Sequence, residues 1–201
     1  MRKLIIDTSS EQCLLAIAEE STILTHALFL HDNRLSQTLL PSLAVLLQEK
    51  GLALQDIASL AVGVGPGSYT GTRVGVTVAR TLSFGLNIPL RGFCSLTAFL
   101  PQRQGRFVSV FPAKSSNFYL LIGERNAQGI CLHSAGLSTA AELCAAASNA
   151  AVLTAKRKEE LPPECPRHHF IPFHLNAANI ALCLQAPPCF AFESEAQLVY
   201  L

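Results

Sequence analysis

A glycine-rich segment, Ala61 to Arg80, is where residue types and spacing in this sequence come closest to a recognisable chemistry. Its letters, AVGVGPGSYTGTRVGVTVAR, hold five glycines and lead into an apolar stretch typical of a helix. Glycines let backbone N–H groups approach an anion, and a helix N-terminus adds unpaired donors and a favourable dipole. The candidate residues for an anion site here are Asp7, Thr8, Gly65, Gly67, Ser68, Thr70 and Arg73.

Two common phosphate-binding fingerprints do not fit this segment. A dinucleotide loop has the pattern G-x-G-x-x-G, but Ser68 stands where the third glycine would follow Gly63 and Gly65. A Walker A loop requires a Gly-Lys pair, which the chain lacks. The segment is therefore unusual without matching a known phosphate loop.

Asp7 ends the first apolar run and could bind a metal–phosphate complex, or it could cap a hairpin by accepting N–H bonds, which the pattern favours. His168 and His169 are adjacent in a proline-rich stretch, and adjacent side chains of an extended chain point apart, which favours loop residues over metal ligands. No aspartate follows Asp56, whereas a two-lobed phosphotransferase needs acidic Mg²⁺ ligands on both sides of its cleft. The sequence thus predicts neither a metal site nor a catalytic residue.

A small-residue seam, Gly71, Gly75, Ala79 and Ser83, recurs every four positions in the predicted helix after the glycines. A glycine inside a helix lowers helix stability by about 1 kcal/mol relative to alanine, so the presence of Gly75 calls for a structural explanation. Close approach of another helix supplies one. On spacing alone, a helix of the same lobe and an external partner explain the seam equally well.

The elements that position these residues follow from hydrophobic periodicity. Three short apolar runs predict an opening β-β-β meander, and leucines at helical spacing predict a helix over 32–50 that Pro41 should kink or restart. A buried strand over 57–65 then leads to a helix capped by Thr70 and ending near Phe84.

A second series of elements begins near residue 101. Three strands, a helix capped by Ser138 and a further strand repeat the order of the first half, and a proline-rich connection, a helix and a last short strand follow. This recurrence predicts two related α/β lobes, residues 1–100 and a smaller lobe at 101–201.

Composition limits the class of protein. A chain of 201 residues that is 50% hydrophobic and 14% charged can bury a core, and its net charge of +1 gives no basic surface for nucleic acid. Seven cysteines without a C-x-x-C pair suit reduced thiols, and no apolar run is long enough for a signal peptide core or a membrane span. We expect a soluble cytoplasmic protein.

Several stretches resemble the bacterial TsaB family, also called YeaZ. They are LIIDTSS at the start, SQTLLPSLAVLL in the first helix and, most specifically, VGVGPGSYTGTRVGVTVARTLSFGLNIPL. The resemblance covers most of residues 1–100, whereas the second half agrees only in element order and in the ending QLVYL.

The resemblance implies a pair of actin-like, sugar-kinase-like (ASKHA) lobes, each a β-β-β-α-β-α type unit with the second reduced. It also implies a role in making threonylcarbamoyladenosine next to the anticodon of tRNAs that read codons starting with A. TsaB-like proteins pair with a TsaD-type paralogue, which holds the metal and the adenylate, and work with a TsaE-type ATPase. ATP and metal would thus sit on the partners, tRNA would be reached only through the complex, and a homodimer is the other assembly to consider.

The resemblance also implies where the partner would bind. It assigns the seam to the face where the TsaB-like and TsaD-like proteins meet through packed helices, so the predicted partner interface comprises Leu39, Leu43, Gly71, Gly75, Ala79 and Ser83. The glycines are then interpreted chiefly as permitting a tight turn and close packing, with anion binding as a residual role.

Two departures from the family weaken a nucleotide site. The family commonly has a histidine before the Ser-Gln pair of the first helix, where this chain has Leu35, and LTAKRKEEL lacks the glycine-rich turn usual in the second lobe. Two hypotheses remain: a non-catalytic scaffold of a tRNA-modifying complex, which is preferred, and a stand-alone ATPase or glycopeptidase-like hydrolase of the same fold.

Overall fold

A computed structural model describes residues 1–30, 34–113, 115–155, 158–166, 170–172 and 175–185. The chain divides into two compact units, of which the first contains Met1–Ser95 and the second begins at Leu96. His168, His169 and the predicted last strand lie outside the described residues.

The first unit is a five-stranded mixed sheet with two helices. Its elements are β1 (Arg2–Asp7), β2 (Gln12–Glu19), β3 (Thr22–Leu30), α1 (Leu35–Glu49), β4 (Ser59–Gly63), α2 (Tyr69–Leu86) and β5 (Leu90–Phe93). The strand order is β3-β2-β1-β4-β5, in which β1 to β3 pair antiparallel and β1, β4 and β5 run parallel. The predicted opening meander is confirmed.

The second unit repeats that topology. Its elements are β6 (Gly105–Pro112), β7 (Phe118–Asn126), β8 (Gly129–Ser138), α3 (Ala140–Ser148), β9 (Val152–Ala155), β10 (Phe170–Pro172) and α4 (Ala177–Cys183). The strand order β8-β7-β6-β9-β10 corresponds position by position to that of the first unit, with the same parallel and antiparallel pairs. The predicted mixed α/β fold built from two related units is confirmed.

The core of the first unit lies between the sheet and its two helices. Alternate strand residues such as Leu4, Ile6 and Leu60 pack against the buried faces of α1 and α2. Helix α1 runs without interruption through Pro41, so the predicted restart there is wrong; the leucines before and after the proline are buried and hold one continuous helix on the sheet.

Helix caps correct two sequence predictions. The N-cap of α2 is Ser68, whose Oγ accepts the N–H of Gly71 at 3.1 Å, and Thr70 lies inside the first turn. The N-cap of α3 is Thr139, not Ser138, since Thr139 and Glu142 form a reciprocal capping box.

The outer strands β3 and β8 are long. Strand β3 has nine residues and β8 has ten; in the described sheets each pairs along one side only, and neither contains a proline or an Asp, Glu, Lys or Arg residue. Among the described helices, none combines the length and the apolar character needed to cross a membrane.

Candidate functional site

The glycine segment wraps around the loop that joins β1 to β2. The N–H of Ser68 donates to the carbonyl oxygen of Ser9 at 2.6 Å. Gly67, at φ +158°, lies so close to that carbonyl that a Cβ there would collide with backbone. The segment therefore holds the chain's own Asp7–Ser9 loop, and glycine is required where two stretches of backbone meet.

The small-residue seam packs on the same loop. Thr8 Oγ1 donates to the Gly71 carbonyl oxygen at 2.7 Å, and a Cβ on Gly75 would collide with that hydroxyl and lie 3.7 Å from Ile6 Cγ2. Ala79 is fully buried in the core cluster of the first unit. What approaches Gly71 and Gly75 closely is thus the end of β1 with the loop that follows it.

The residues of the predicted partner interface take part in this packing. Leu39, Leu43, Gly71, Gly75 and Ala79 are all buried within the chain itself. Their side-chain positions face the core of the first unit, and the partner interface itself stays a prediction. Ser83 is half-buried and its Oγ donates to the Ile88 carbonyl oxygen at 2.6 Å, which braces the end of α2.

Asp7 lies at the end of β1 and is only 3% exposed. Its Oδ1 accepts the N–H of Ser9 at 2.8 Å, the turn-capping contact that the sequence pattern favours. Its Oδ2 is buried without a hydrogen-bond partner among the described residues. Burial raises the pKa of Asp7 above its usual value, an effect that the hydrogen bonding of Ser9 and the nearby Ser95 hydroxyl oppose in part. Burial thus disfavours the charged form of this carboxyl relative to an exposed aspartate.

Gly63 and Ser95 close the space around this carboxyl. A Cβ on Gly63 would lie 2.6 Å from both Asp7 Oδ2 and Ser95 Oγ. Ser95 is tied to the glycine segment in turn, because its Oγ accepts the N–H of Gly65 at 3.2 Å and its N–H donates to the Gly65 carbonyl oxygen at 2.8 Å. The sequence reasoning missed Ser95, since no local pattern links it to a turn thirty residues earlier.

The predicted anion site is partly occupied by contacts within the chain. The N–H groups of Gly65, Ser68 and Gly71, which an anion would use, donate to Ser95 Oγ, the Ser9 carbonyl oxygen and Ser68 Oγ. The Arg73 guanidinium stands over the Tyr69 ring, 4.0 Å from its centroid. Thr70 is exposed in the first turn of α2. Asp7, Thr8 and the glycines therefore lie together, but the N–H groups of Gly65, Ser68 and Gly71 donate to acceptors within the protein.

The second unit allows a direct comparison with Asp7. Leu4 on β1 pairs with Leu60 on β4, and Val108 on β6 pairs with Leu153 on β9, so the registers equate Leu4 with Val108. Counting three residues along each strand places Phe111 where the first unit has Asp7. Phe111 packs against Phe99, with the ring centroids 6.3 Å apart. The position that carries an acid in one unit is aromatic in the other.

The outward side of α2 carries residues that the sequence reasoning did not single out. Phe84 is 91% exposed and Tyr69 is 53% exposed. The seam itself was the signal that could have located them, because the residues opposite a buried helical stripe must face outward. In the described part of the chain, no group of three or more His, Cys, Asp or Glu side chains is placed to hold a metal ion.

Comparison with known proteins gives matches of sequence and of fold. A family model described as TsaD, tRNA N6-adenosine threonylcarbamoyltransferase, matches residues 30–128. The tRNA threonylcarbamoyladenosine biosynthesis protein TsaB of Escherichia coli K12 is 33% identical over 135 residues, which is 65% of this chain and 58% of that protein. TsaB of Bacillus subtilis 168 is 33% identical over 122 residues, 59% of this chain and 53% of that protein. The chain thus aligns with little more than half of each of these relatives.

A solved structure matches over the whole chain. It is a Pseudomonas aeruginosa protein described as similar to peptidase YeaZ, with a TM-score of 0.81 and 23% identity over 100% of this chain and 99% of that one. A structure of YeaZ from the same organism gives a TM-score of 0.78. At this identity the match shows that the chain shares the fold of these two proteins.

Proposed function

Since the chain belongs to the TsaB family, also called YeaZ, we propose that it is a non-catalytic subunit of the complex that attaches a threonylcarbamoyl group to tRNA. The modified base would be the adenosine next to the anticodon in tRNAs that read codons starting with A. The sequence matches to proteins of threonylcarbamoyladenosine biosynthesis support this role.

The proposed partner is a TsaD-type catalytic paralogue, with a TsaE-type ATPase as a further component. The match of residues 30–128 to the TsaD family model supports kinship between this chain and that paralogue. ATP and metal would bind on the partner subunits, in the cytoplasm. With a net charge of +1, the chain would meet tRNA only through the complex, because tight binding to nucleic acid depends on neutralising several phosphates.

The observation that carries the non-catalytic role is the state of Asp7. Phosphoryl transfer in this class of fold needs ionised carboxylates around a metal. Here the carboxyl is buried, its pKa is raised, and its position in the second unit is taken by Phe111. Asp7 Oδ1 already accepts the Ser9 N–H, and the second unit has no acid at the matching position, which supports a non-catalytic role.

Depletion of the protein tests the role in cells. We expect threonylcarbamoyladenosine in cellular tRNA to fall on depletion, because the paralogue loses the subunit that keeps it in working form. Mass spectrometry of digested tRNA measures the change, and reconstitution from purified components with and without this chain is the matched experiment. Unchanged modification after full depletion, in a host without a second copy, would refute the proposal.

The alternative, a stand-alone ATPase or glycopeptidase-like hydrolase, predicts turnover by the isolated chain. We expect the purified protein to hydrolyse ATP no faster than its Asp7→Asn variant. Turnover that survives purification to homogeneity and disappears in Asp7→Asn would favour the enzyme over the scaffold.

A further inference from the structure

Three polar side chains meet at one end of the second unit, and we call them the Arg125 cluster. They are Gln102 of the loop before β6, Arg125 near the end of β7, and Asn179 of α4. The Asn179 side chain is only 1% exposed, and its Nδ2 donates to the Leu100 carbonyl oxygen at 2.9 Å. Its Oδ1 accepts an N–H of Arg125 Nη2 at 2.6 Å and an N–H of Gln102 Nε2 at 3.2 Å. The amide of Asn179 is therefore fixed, and its oxygen already has two donors.

The Arg125 guanidinium has no carboxylate partner among the described residues. No carboxylate in this part of the chain lies within ion-pair distance of it. Its neighbour Glu124 faces the other side of the sheet, because successive side chains of a strand alternate. Arg125 Nε is buried and meets no described hydrogen-bond acceptor. Burial lowers the pKa of this guanidinium, an effect that the nearby Cys183 opposes. A cation that has lost part of its water normally has an anion beside it.

The cluster offers donors and positive charge to a ligand. A guanidinium has five N–H donors and a side-chain amide has two. Asn179 takes one donor from Arg125 and one from Gln102, which leaves the second donor of Gln102 Nε2 and further donors of the guanidinium. Arg125 is half-buried and Gln102 is exposed, so a ligand can approach from solvent. The planar fork of a guanidinium matches two oxygens of a phosphate or carboxylate group.

The cluster lies far from the position that corresponds to Asp7. The register of β6 and β7 pairs Arg125 with Gly105, the first residue of β6, whereas Phe111 near the end of β6 corresponds to Asp7. The step from Gly105 to Phe111 is six residues of strand, or about 20 Å. A ligand at the cluster would occupy the opposite end of the sheet.

We propose that the Arg125 cluster binds a small oxyanion, a phosphate or a carboxylate group, through the guanidinium and Gln102 Nε2, while Asn179 orients both donors. The site goes beyond the proposed function and does not depend on it. Since Asn179 belongs to α4 and Arg125 to β7, the bound anion would fasten this helix to the sheet. A ligand that binds only the folded chain also stabilises it.

Thermal unfolding in phosphate tests the site. The melting temperature of the wild type should rise by about 3–5 °C for each tenfold increase in phosphate above the dissociation constant, at an ionic strength held constant with chloride. Arg125→Gln should lose this rise. Arg106→Gln removes an exposed arginine that faces the other side of the sheet, opposite Glu124, and should keep it. A parallel series in acetate distinguishes a phosphate site from a carboxylate site.

A second variant keeps the test decisive if Arg125→Gln does not fold. Arg125→Lys retains the positive charge but not the planar fork, so it should need about tenfold more phosphate for the same rise. Equal rises in the wild type and both Arg125 variants would overturn the inference, because phosphate also stabilises proteins without a site. The absence of a rise in either phosphate or acetate would overturn it as well.

A final variant separates a free oxyanion from a carboxylate of the chain itself. Glu193 and Glu195 lie outside the described residues. Under the inference, Glu193→Gln/Glu195→Gln should respond to phosphate as the wild type does. A response that appears only in this double variant would overturn the inference, because the chain's own carboxylate would then be the partner of the guanidinium.

Discussion

Replacing Asp7 by asparagine should make the protein more stable at neutral pH, although it changes a buried residue at the centre of the glycine segment. The amide keeps an oxygen that can accept the Ser9 N–H, as Oδ1 does at 2.8 Å. It removes an ionisable oxygen that is buried without a described hydrogen-bond partner. The free energy of unfolding should rise at neutral pH, by about 1.4 kcal/mol for each pH unit by which burial raises the folded-state pKa of Asp7, because the amide carries no charge that burial penalises.

The pH dependence gives this prediction its sign. Burial raises the folded-state pKa of Asp7 above the usual value of an aspartate, which is close to that of the unfolded chain. Below the unfolded-state pKa, Asp7 is protonated in both the folded and the unfolded state and does not lower the free energy of unfolding. As pH rises, the carboxyl ionises first in the unfolded state, so the wild type loses stability until the folded-state pKa is passed. The difference between Asp7→Asn and wild type should therefore be small near pH 4 and reach its full value at higher pH.

Urea denaturation at a series of pH values from 4 to 8 measures this difference. Glu124→Gln, an acid-to-amide change at an exposed site on β7, controls for the loss of one negative charge and should show no such pH-dependent gain. If Asp7→Asn is less stable than wild type at neutral pH while the control is unchanged, then the folded protein favours the ionised carboxylate. That result would refute the argument from burial.

Three further predictions concern packing and capping, each with a matched control. Gly75→Ala should lower the melting temperature, because its Cβ collides with Thr8. As the control, a Cβ at Gly85 on the same helix meets nothing within 4 Å, so Gly85→Ala should raise the free energy of unfolding by about 1 kcal/mol through helix propensity. Equal effects at both sites would contradict the internal packing of the seam. Gly63→Ala should lower the free energy of unfolding by about 1–3 kcal/mol, because the added Cβ would overpack against Asp7 and Ser95. Urea denaturation measures this change, and an unchanged free energy of unfolding would contradict the crowding. Thr139→Ala should lower the free energy of unfolding by about 1 kcal/mol, because the capping box is lost, whereas Ser138→Ala should unfold thermally like the wild type. If Ser138→Ala were instead the destabilised variant, Ser138 would be the N-cap, as the sequence predicted.

The sequence predicted the fold where the signal is local and periodic. Apolar runs of strand length and leucines at helical spacing were enough to locate the β-β-β openings of both units, α1 and α2. Caps were harder, because Ser68 and Thr70, or Ser138 and Thr139, are equally good by residue type. Only the backbone angles decide which hydroxyl meets the N–H groups of the first turn.

The site required information that periodicity does not contain. The small-residue seam predicted that another part of the protein packs closely against α2, but not which part. The residue that does so is Thr8, which is 63 residues away from Gly71 in sequence. Gly67 likewise predicted a position that requires glycine, but not that the backbone of Ser9 lies against it. Such contacts depend on parallel pairing of β1 with β4, which brings distant loops to one end of the sheet.

The uncharged outer strands bear on any attempt to study the two halves of the protein separately. An exposed strand edge is a template for pairing with another chain, and natural proteins suppress this with lysine, proline or short strands. Both β3 and β8 lack such residues, so each half expressed alone should be prone to ordered aggregation through its own edge. Lysine at Leu30 and at Leu137, which are 74% and 57% exposed, would place a charge on each edge without disturbing a buried side chain, and would make the halves easier to keep in solution.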